Sequence, residues 1–194
     1  MGGPGDSRSD QQLVSDFADG DASAFESLYY RYRDWVVSLA FRFTANQDDA
    51  LDVLQETFAY VSRKFPKFRL TASMKTFLYP AVRNLSLEVR RKRRRGVQDD
   101  AAIDVIPAPP VAPDQRAELS AVLSSLPDTH REVLLLRFVD GFSLEEIARA
   151  LDIPLGTVKS RIHNSLEQLR NDPTTRTYFE IQNPQSKIQN PGSP

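Results

Sequence analysis

Apolar residues recur at helical spacing from Phe25 onward. Phe25, Leu28, Tyr29, Tyr32, Trp35, Val36, Leu39 and Phe43 follow the i, i+3, i+4, i+7 pattern of one helix face. Asp21 or Ser23 is placed to cap its start. A shorter helix is predicted over 13–18. A third starts near Asn46 and runs through Val61, with Ala50, Leu51, Leu54 and Phe58 on one side and Pro66 ending the segment. Residues 67–73 read as a loop. A fourth helix is predicted over 74–94, with a kink at Pro80, which lacks a backbone donor and crowds the preceding turn.

The pattern then changes. Residues 96–114 carry Pro107, Pro109, Pro110 and Pro113 among Ala and Asp, which reads as a semi-extended tether. Helical periodicity returns over 115–171. The stretch 172–194 is rich in Asn, Gln, Pro and Ser and repeats Ile-Gln-Asn-Pro at 181–184 and 188–191. Residues 1–10 are dominated by Gly, Pro, Ser and Asp and are expected to be disordered. No window alternates apolar and polar positions between hairpin turns. The expected fold is all-α: two small helical domains, 11–95 and 115–171, on a flexible linker.

The second domain has a helix-turn-helix pattern. A helix over 127–139 carries Val133, Leu134, Leu136 and Phe138, and Asp140-Gly141 turns the chain. Ser143-Leu-Glu-Glu146 is a capping box ahead of Leu144, Ile147, Ala148 and Leu151. Asp152-Ile-Pro154 forms a tight turn into a helix over 155–170. There Val158, Ile162, Leu166 and Leu169 cluster on one side. Thr157, Ser160, Asn164 and Glu167 face away, flanked by Lys159 and Arg161. A helix of this kind reads the major groove: Ser160, His163 and Asn164 suit base edges, and Lys159 and Arg161 suit phosphates or guanine. A plain three-helix bundle with a solvated face is the alternative.

Charge sharpens the picture. The net charge of −1 hides a strong asymmetry. Residues 11–60 hold 3 basic and 9 acidic side chains, whereas 61–95 hold 12 basic and one acidic. Residues 96–115 hold four Asp and no Lys or Arg. Such asymmetry implies two partners, one of them a polyanion. Asp49, Asp52 and Glu56, with Gln55 alongside, share one helix face, which reads as a docking face for a basic protein or as a solvated acidic surface. Phe65, Lys67, Phe68, Arg69, Lys75, Phe77, Tyr79 and Arg83 interleave rings with cations, the composition that holds single-stranded nucleic acid. Phe77 is expected in the core and Phe68 on the surface. The Arg90–Arg95 run would hold a phosphate backbone.

Other chemistry is excluded by composition. The chain has no cysteine and only two histidines, His130 and His163, so thiolate metal sites, disulfides and a Cys nucleophile are ruled out. No cofactor, metal or catalytic cluster is expected. No apolar run reaches the ~18 residues of a membrane span, and the first six residues lack a signal-peptide pattern. An intracellular, cytoplasmic protein is expected.

Three motifs in order carry a family resemblance. Asp49-Ala-Leu-Asp52-Val-Leu-Gln55-Glu56-Thr-Phe58 resembles the region 2.2 signature of the sigma-70 family. Thr76-Phe-Leu-Tyr-Pro-Ala-Val-Arg83-Asn84 resembles the segment after its promoter-melting loop. Gly156-Thr157-Val158-Lys159-Ser160-Arg161 resembles the start of its region 4 recognition helix. Two such domains with only a linker between them resemble the extracytoplasmic-function (ECF, group 4) sigma factors over about residues 11–171. The resemblance implies an RNA polymerase sigma factor that performs no catalysis. A stand-alone helix-turn-helix regulator is the competing reading. The partners implied are the β′ clamp and β flap of core RNA polymerase, promoter DNA and an anti-sigma factor.

The resemblance also implies roles. Asp49, Asp52, Gln55 and Glu56 would dock on polymerase. Phe68, Arg69, Thr71, Ser73, Lys75, Arg83, Asn84, Arg90, Arg91 and Arg94 would contact the −10 element. Thr157, Lys159, Ser160, Arg161, His163 and Asn164 would read the −35 element. Phe77 stands where the family usually has Trp, Pro80 where a helix-favouring residue is usual, and Asn164-Ser165-Leu166 where cations are usual. The last departure implies weak binding of the second domain to free DNA.

Overall fold

The structure is a computed structural model that describes residues 5–64, 69–96 and 123–172. The described residues form helices and connecting turns, with no strand among them. In chain order the helices are α1 (Asp10–Ala18), α2 (Ala22–Thr44), α3 (Gln47–Lys64), α4 (Met74–Gly96), α5 (Asp128–Phe138), α6 (Leu144–Leu151) and α7 (Leu155–Asn171). Phe65, Pro66 and Phe68, residues 97–122, which include most of the expected tether over 96–114, and the stretch beyond 172 lie outside the described residues.

Local chemistry sets the boundaries. Asp21 caps α2, accepting the amide of Ser23 at 2.9 Å. Ala45 ends that helix in the left-handed region at φ 54°. The Asn46 side chain accepts the amide of Asp49 at 2.9 Å and starts α3. Ser73 does the same for α4, accepting the amide of Thr76 at 3.3 Å. The helix continues through Pro80 without a break. Because Pro80 has no N–H, the Thr76 carbonyl lacks that intrahelical donor.

The stripe on α2 is buried as its periodicity implies: Leu28, Val36, Leu39 and Phe43 are in the core, with Phe25, Tyr29, Tyr32 and Trp35 packed against it. This long helix packs on α1, α3 and α4. On α3 the buried set is Ala50, Val53, Leu54, Thr57, Phe58 and Val61. Leu51, placed on that face from the sequence, is instead 40% exposed beside the acidic residues. Residues Val53 and Thr57 take the inner positions, because α3 is covered by α2 on one side and α4 on the other.

The N-terminal residues depart from the expected disorder from Gly5 onward. Arg8 donates to Asp6, Asp16 and Asp21, at 2.8, 2.6 and 2.8 Å. Arg31 donates to Asp10 and to the backbone carbonyls of Asp6 and Arg8. Tyr32 donates to Asp10. Two arginines thus hold the polar segment against α2 as a clasp, and Leu13 and Val14 of α1 enter the core. The hydrogen bond from Arg8 moves Asp21 from an ordinary 3.8 down to about 2. A carboxyl lowered on folding stabilises the clasp above its unfolded pKa and loses that contribution as pH falls through the folded value. The clasp should therefore persist at pH 4 and open toward pH 2. An NMR titration of the Asp21 carboxyl reads this directly, and 1 M salt should move its midpoint back toward 3.8.

In the second unit, α5, α6 and α7 enclose Val133, Leu136, Ile147, Ala150 and Val158. The capping box forms: Ser143 accepts the Glu146 amide, and Glu146 accepts the Ser143 amide. Asp152 ends α6 in the left-handed region at φ 53°. Buried Arg131 donates to the carbonyls of Leu123, Ser124 and Leu126 and anchors the entry to α5. On α7 the inner stripe is Val158, Ile162 and Ser165, with Ser165 fully buried and Leu166 43% exposed. This corrects the placement of Leu166 on the apolar side. Ser165 fits inside because its hydroxyl donates to the Arg161 carbonyl at 2.5 Å.

The two units pack on each other. Helix α4 lies against α6. Phe142 is buried between the units, 6.4 Å from the Trp35 ring and 6.1 Å from Tyr79. The apolar cores run together through it.

Candidate polymerase and nucleic-acid interfaces

The acidic face of α3 is displayed as its spacing implies. Asp52, Gln55 and Glu56 are exposed on the side opposite the buried stripe. Leu51 adds an apolar contact among them. Asp49 is different: it is half-buried and accepts from Arg93 of α4 at 3.0 Å. One end of the basic run therefore folds back on the acidic face.

Around the corner of α3 lies a groove of about 540 Å³ shared with α4. It is lined by Glu56, Tyr60, Arg63 and Lys64 from α3 and by Thr76, Phe77, Pro80, Ala81, Asn84 and Leu85 from α4. Tyr60 and Phe77 stack with ring centroids 6.3 Å apart. The Lys64 ammonium sits 5.1 Å from the Tyr60 centroid and 5.8 Å from that of Phe77, and donates to the Tyr60 hydroxyl at 2.7 Å. Phe77 is half-buried: one side packs on the core and the other forms the groove wall, so the core expectation holds for half of the ring. Stacked rings under a cation, beside an exposed Asn, have the chemistry that stacking of an unpaired base and pairing of its phosphate require. Tyr60, Arg63 and Lys64 were missed from the sequence because they end α3, outside the aromatic-basic segment. The signal available was their i, i+3, i+4 spacing after Glu56.

The remaining −10 candidates divide. Arg69, Thr71 and Asn84 are exposed, Asn84 lining the groove, and Arg91 and Arg94 are exposed along the end of α4. Arg90 is half-buried. The Ser73 hydroxyl is occupied in capping α4 and lies 2.8 Å from that of Thr76. Lys75 donates to the Asp140 carbonyl at 3.1 Å and lies over Trp35. Arg83 donates to Glu132 at 2.6 Å. Burial opposes the charge on Arg83, but Glu132 outweighs it and holds its pKa above the usual arginine value. The Tyr79 hydroxyl donates to the same carboxylate at 2.6 Å, and burial pushes its pKa well up. Phe68 lies outside the described residues.

On α7, Lys159, Ser160, His163 and Asn164 are exposed along one side, with Thr157 and Arg161 half-buried at its edge. Ser160 donates to the Thr157 carbonyl at 3.1 Å, and His163 lies 3.8 Å from Glu167. Among the described residues no group of His, Asp and Glu is arranged to hold a metal, and no helix is long and apolar enough to cross a membrane.

Known proteins match these two units in the same order. Residues 28–96 match the family model of sigma-70 region 2, and residues 122–171 match that of sigma-70 region 4. The ECF RNA polymerase sigma factor SigW of Bacillus subtilis is 33% identical over 167 residues, covering 78% of this chain and 89% of the relative. The ECF RNA polymerase sigma-E factor of Escherichia coli is 34% identical over 178 residues, covering 84% and 93%. Among solved structures, CnrH in complex with the cytosolic domain of CnrY matches with a TM-score of 0.64 at 22% identity, over 89% of this chain and 97% of that one, a likeness of fold. With region 2 and region 4 matched in chain order and relatives of this group more than 30% identical over most of its length, the chain belongs to the sigma-70 family, in its extracytoplasmic-function group.

Proposed function

We propose that this chain is the promoter-specificity subunit of a bacterial RNA polymerase, binding the core enzyme and reading the −10 and −35 elements. The observation that carries this reading is the adjacency on α3 and α4 of two unlike surfaces. One is exposed and acidic, at Asp52, Gln55 and Glu56; the other is the groove of Tyr60, Lys64, Phe77 and Asn84. A stand-alone regulator built on its helix-turn-helix needs neither.

In this reading Asp49, Asp52, Gln55 and Glu56 dock on a basic face of the β′ clamp, and the second unit meets the β flap. Arg69, Thr71, Lys75, Arg83, Asn84, Arg90, Arg91 and Arg94, with Phe68 and Ser73, hold the melted −10 strand. Thr157, Lys159, Ser160, Arg161, His163 and Asn164 read the −35 duplex. Residues 11–95 and 115–171 are the two working domains and 96–114 the tether. The chain supplies binding and strand capture and no chemistry of its own, acts in the cytoplasm, and is held in check by an anti-sigma factor.

The groove makes the test. Extruding a base costs a few kcal/mol, which stacking must offset. Tyr60→Ala removes the base platform, a loss of about 1–3 kcal/mol per stacked base. The expected result is about 5- to 150-fold weaker open-complex formation by the holoenzyme, read by permanganate reactivity of unpaired thymines, with core binding unchanged. Unchanged melting by Tyr60→Ala and Asn84→Ala together would remove the groove from this role.

A further inference from the structure

A cleft of about 350 Å³ lies between α4 and the second unit, sharing only Pro80 and Asn84 with the strand groove. Three arginines line it. Arg83 is matched: it donates to Glu132, which also accepts from Tyr79. Arg149 and Arg161 are not matched. Neither side chain has a hydrogen-bond or ion-pair partner among the described residues, although Arg161 is half-buried. Buried or half-buried arginines elsewhere, such as Arg8, Arg42 and Arg131, are each bonded to carboxylates or carbonyls. A guanidinium withdrawn from water with nothing to bond is the exception in a folded chain and points to a partner outside it. The rest of the lining narrows the chemistry. Pro80, Leu151 and Ile153 are half-buried apolar side chains, a surface for a flat ring. Asp152 is exposed, has no side-chain partner among the described residues, and repels phosphate but accepts from sugar hydroxyls. Two guanidinium forks suit two phosphate groups. The volume falls in the range of roughly 300–1,000 Å³ that holds small molecules.

We propose that this cleft binds a free nucleoside diphosphate, with Arg149 and Arg161 holding the two phosphates, Asp152 the sugar hydroxyls, and Pro80, Leu151 and Ile153 the base. The ligand is free rather than part of a strand, because the stacked rings and cations that suit a strand lie in the other groove. Bound there, it takes Arg161 and Asn84 away from promoter DNA and makes the DNA contacts of the chain answer to nucleotide supply. That consequence rests on the promoter assignment of those two residues; the binding site itself does not.

Isothermal titration of the full chain with ADP, GDP and inorganic pyrophosphate tests the site directly. At least one nucleotide should bind at one per chain, more tightly than pyrophosphate. Arg149→Gln, at an exposed position placed in neither promoter surface, should weaken nucleotide binding about 10- to 100-fold, the loss of one charge-assisted contact. Arg33→Gln, which removes an exposed charge from α2, should leave it unchanged. Asp152→Asn should narrow the preference for nucleotide over pyrophosphate. Circular dichroism monitors the helices in each variant. A labelled single-stranded 12-mer should bind the parent chain and Arg149→Gln alike. No binding of either nucleotide at about 1 mM overturns the site. An equal loss with Arg33→Gln reduces the effect to general charge attraction and overturns it as well. Pyrophosphate binding as tightly as both nucleotides overturns the nucleotide assignment. If the 12-mer loses affinity with Arg149→Gln as steeply as the nucleotides do, the cleft belongs to the strand, and the proposal fails while the promoter reading stands.

Discussion

Reversing two charges on α3, Asp52→Arg with Glu56→Arg, is expected to weaken binding to core RNA polymerase about 30- to 1000-fold. That corresponds to about 2–4 kcal/mol. Both side chains are exposed and point away from the stripe of Val53, Leu54, Thr57 and Phe58. The fold should therefore hold, with thermal stability changed by no more than about 0.5 kcal/mol. Like charges brought together across a docking surface cost several kcal/mol, more than the loss of an attractive pair. Glu56 also lines the groove, so an arginine there adds a cation to the strand-binding side. Polymerase affinity and single-strand affinity should consequently move in opposite directions. Titrating labelled chain with core enzyme, beside a titration with single-stranded DNA, reads both.

Leu28→Ala is expected to destabilise the first unit by about 2–5 kcal/mol, the range for truncating a buried leucine without local collapse. Leu28 is 1% exposed on α2, the helix that contacts α1, α3 and α4 alike. Domains hold only about 5–15 kcal/mol in total. The melting temperature should fall by about 10 °C or more. Leu51→Ala, at a position 40% exposed, should stay within about 0.5 kcal/mol. The same substitution thus separates a core leucine from a surface leucine that the sequence pattern groups with the core.

That contrast shows where the sequence was legible. Periodicity located the described helices closely, and the capping box at Ser143 and Glu146 formed as read. It misjudged Leu51 and Leu166 because apolarity was taken as burial. At the crowded edges of α3 and α7, the small polar Thr57 and Ser165 occupy the interior instead. Thr57 Oγ1 and Ser86 Oγ are buried without a hydrogen-bond partner, a packing outcome that no spacing rule contains. The acidic face of Asp52, Gln55 and Glu56 was readable because it needs only one helix. The groove was half readable, since Phe77 and Asn84 sit in the aromatic-basic segment but Tyr60 and Lys64 belong to the helix before it. The pairs Arg42–Asp140 and Arg83–Glu132 join residues far apart in sequence, and helical periodicity cannot report which distant face a side chain meets. The Arg8 clasp was hidden by composition: a segment of Gly, Pro, Ser and Asp looks disordered until arginines order its carboxylates and carbonyls.

The most direct test of the central claim is transcription from genomic DNA by purified bacterial core polymerase, with and without this chain, mapping every RNA 5′ end. The sigma-factor account predicts a small set of discrete start sites that appear only when the chain is added, preceded by shared −10 and −35 sequences. They should be lost with the Asp52→Arg/Glu56→Arg variant. A pattern of starts identical to that of core enzyme alone, from a chain that grips duplex DNA without polymerase, would contradict it.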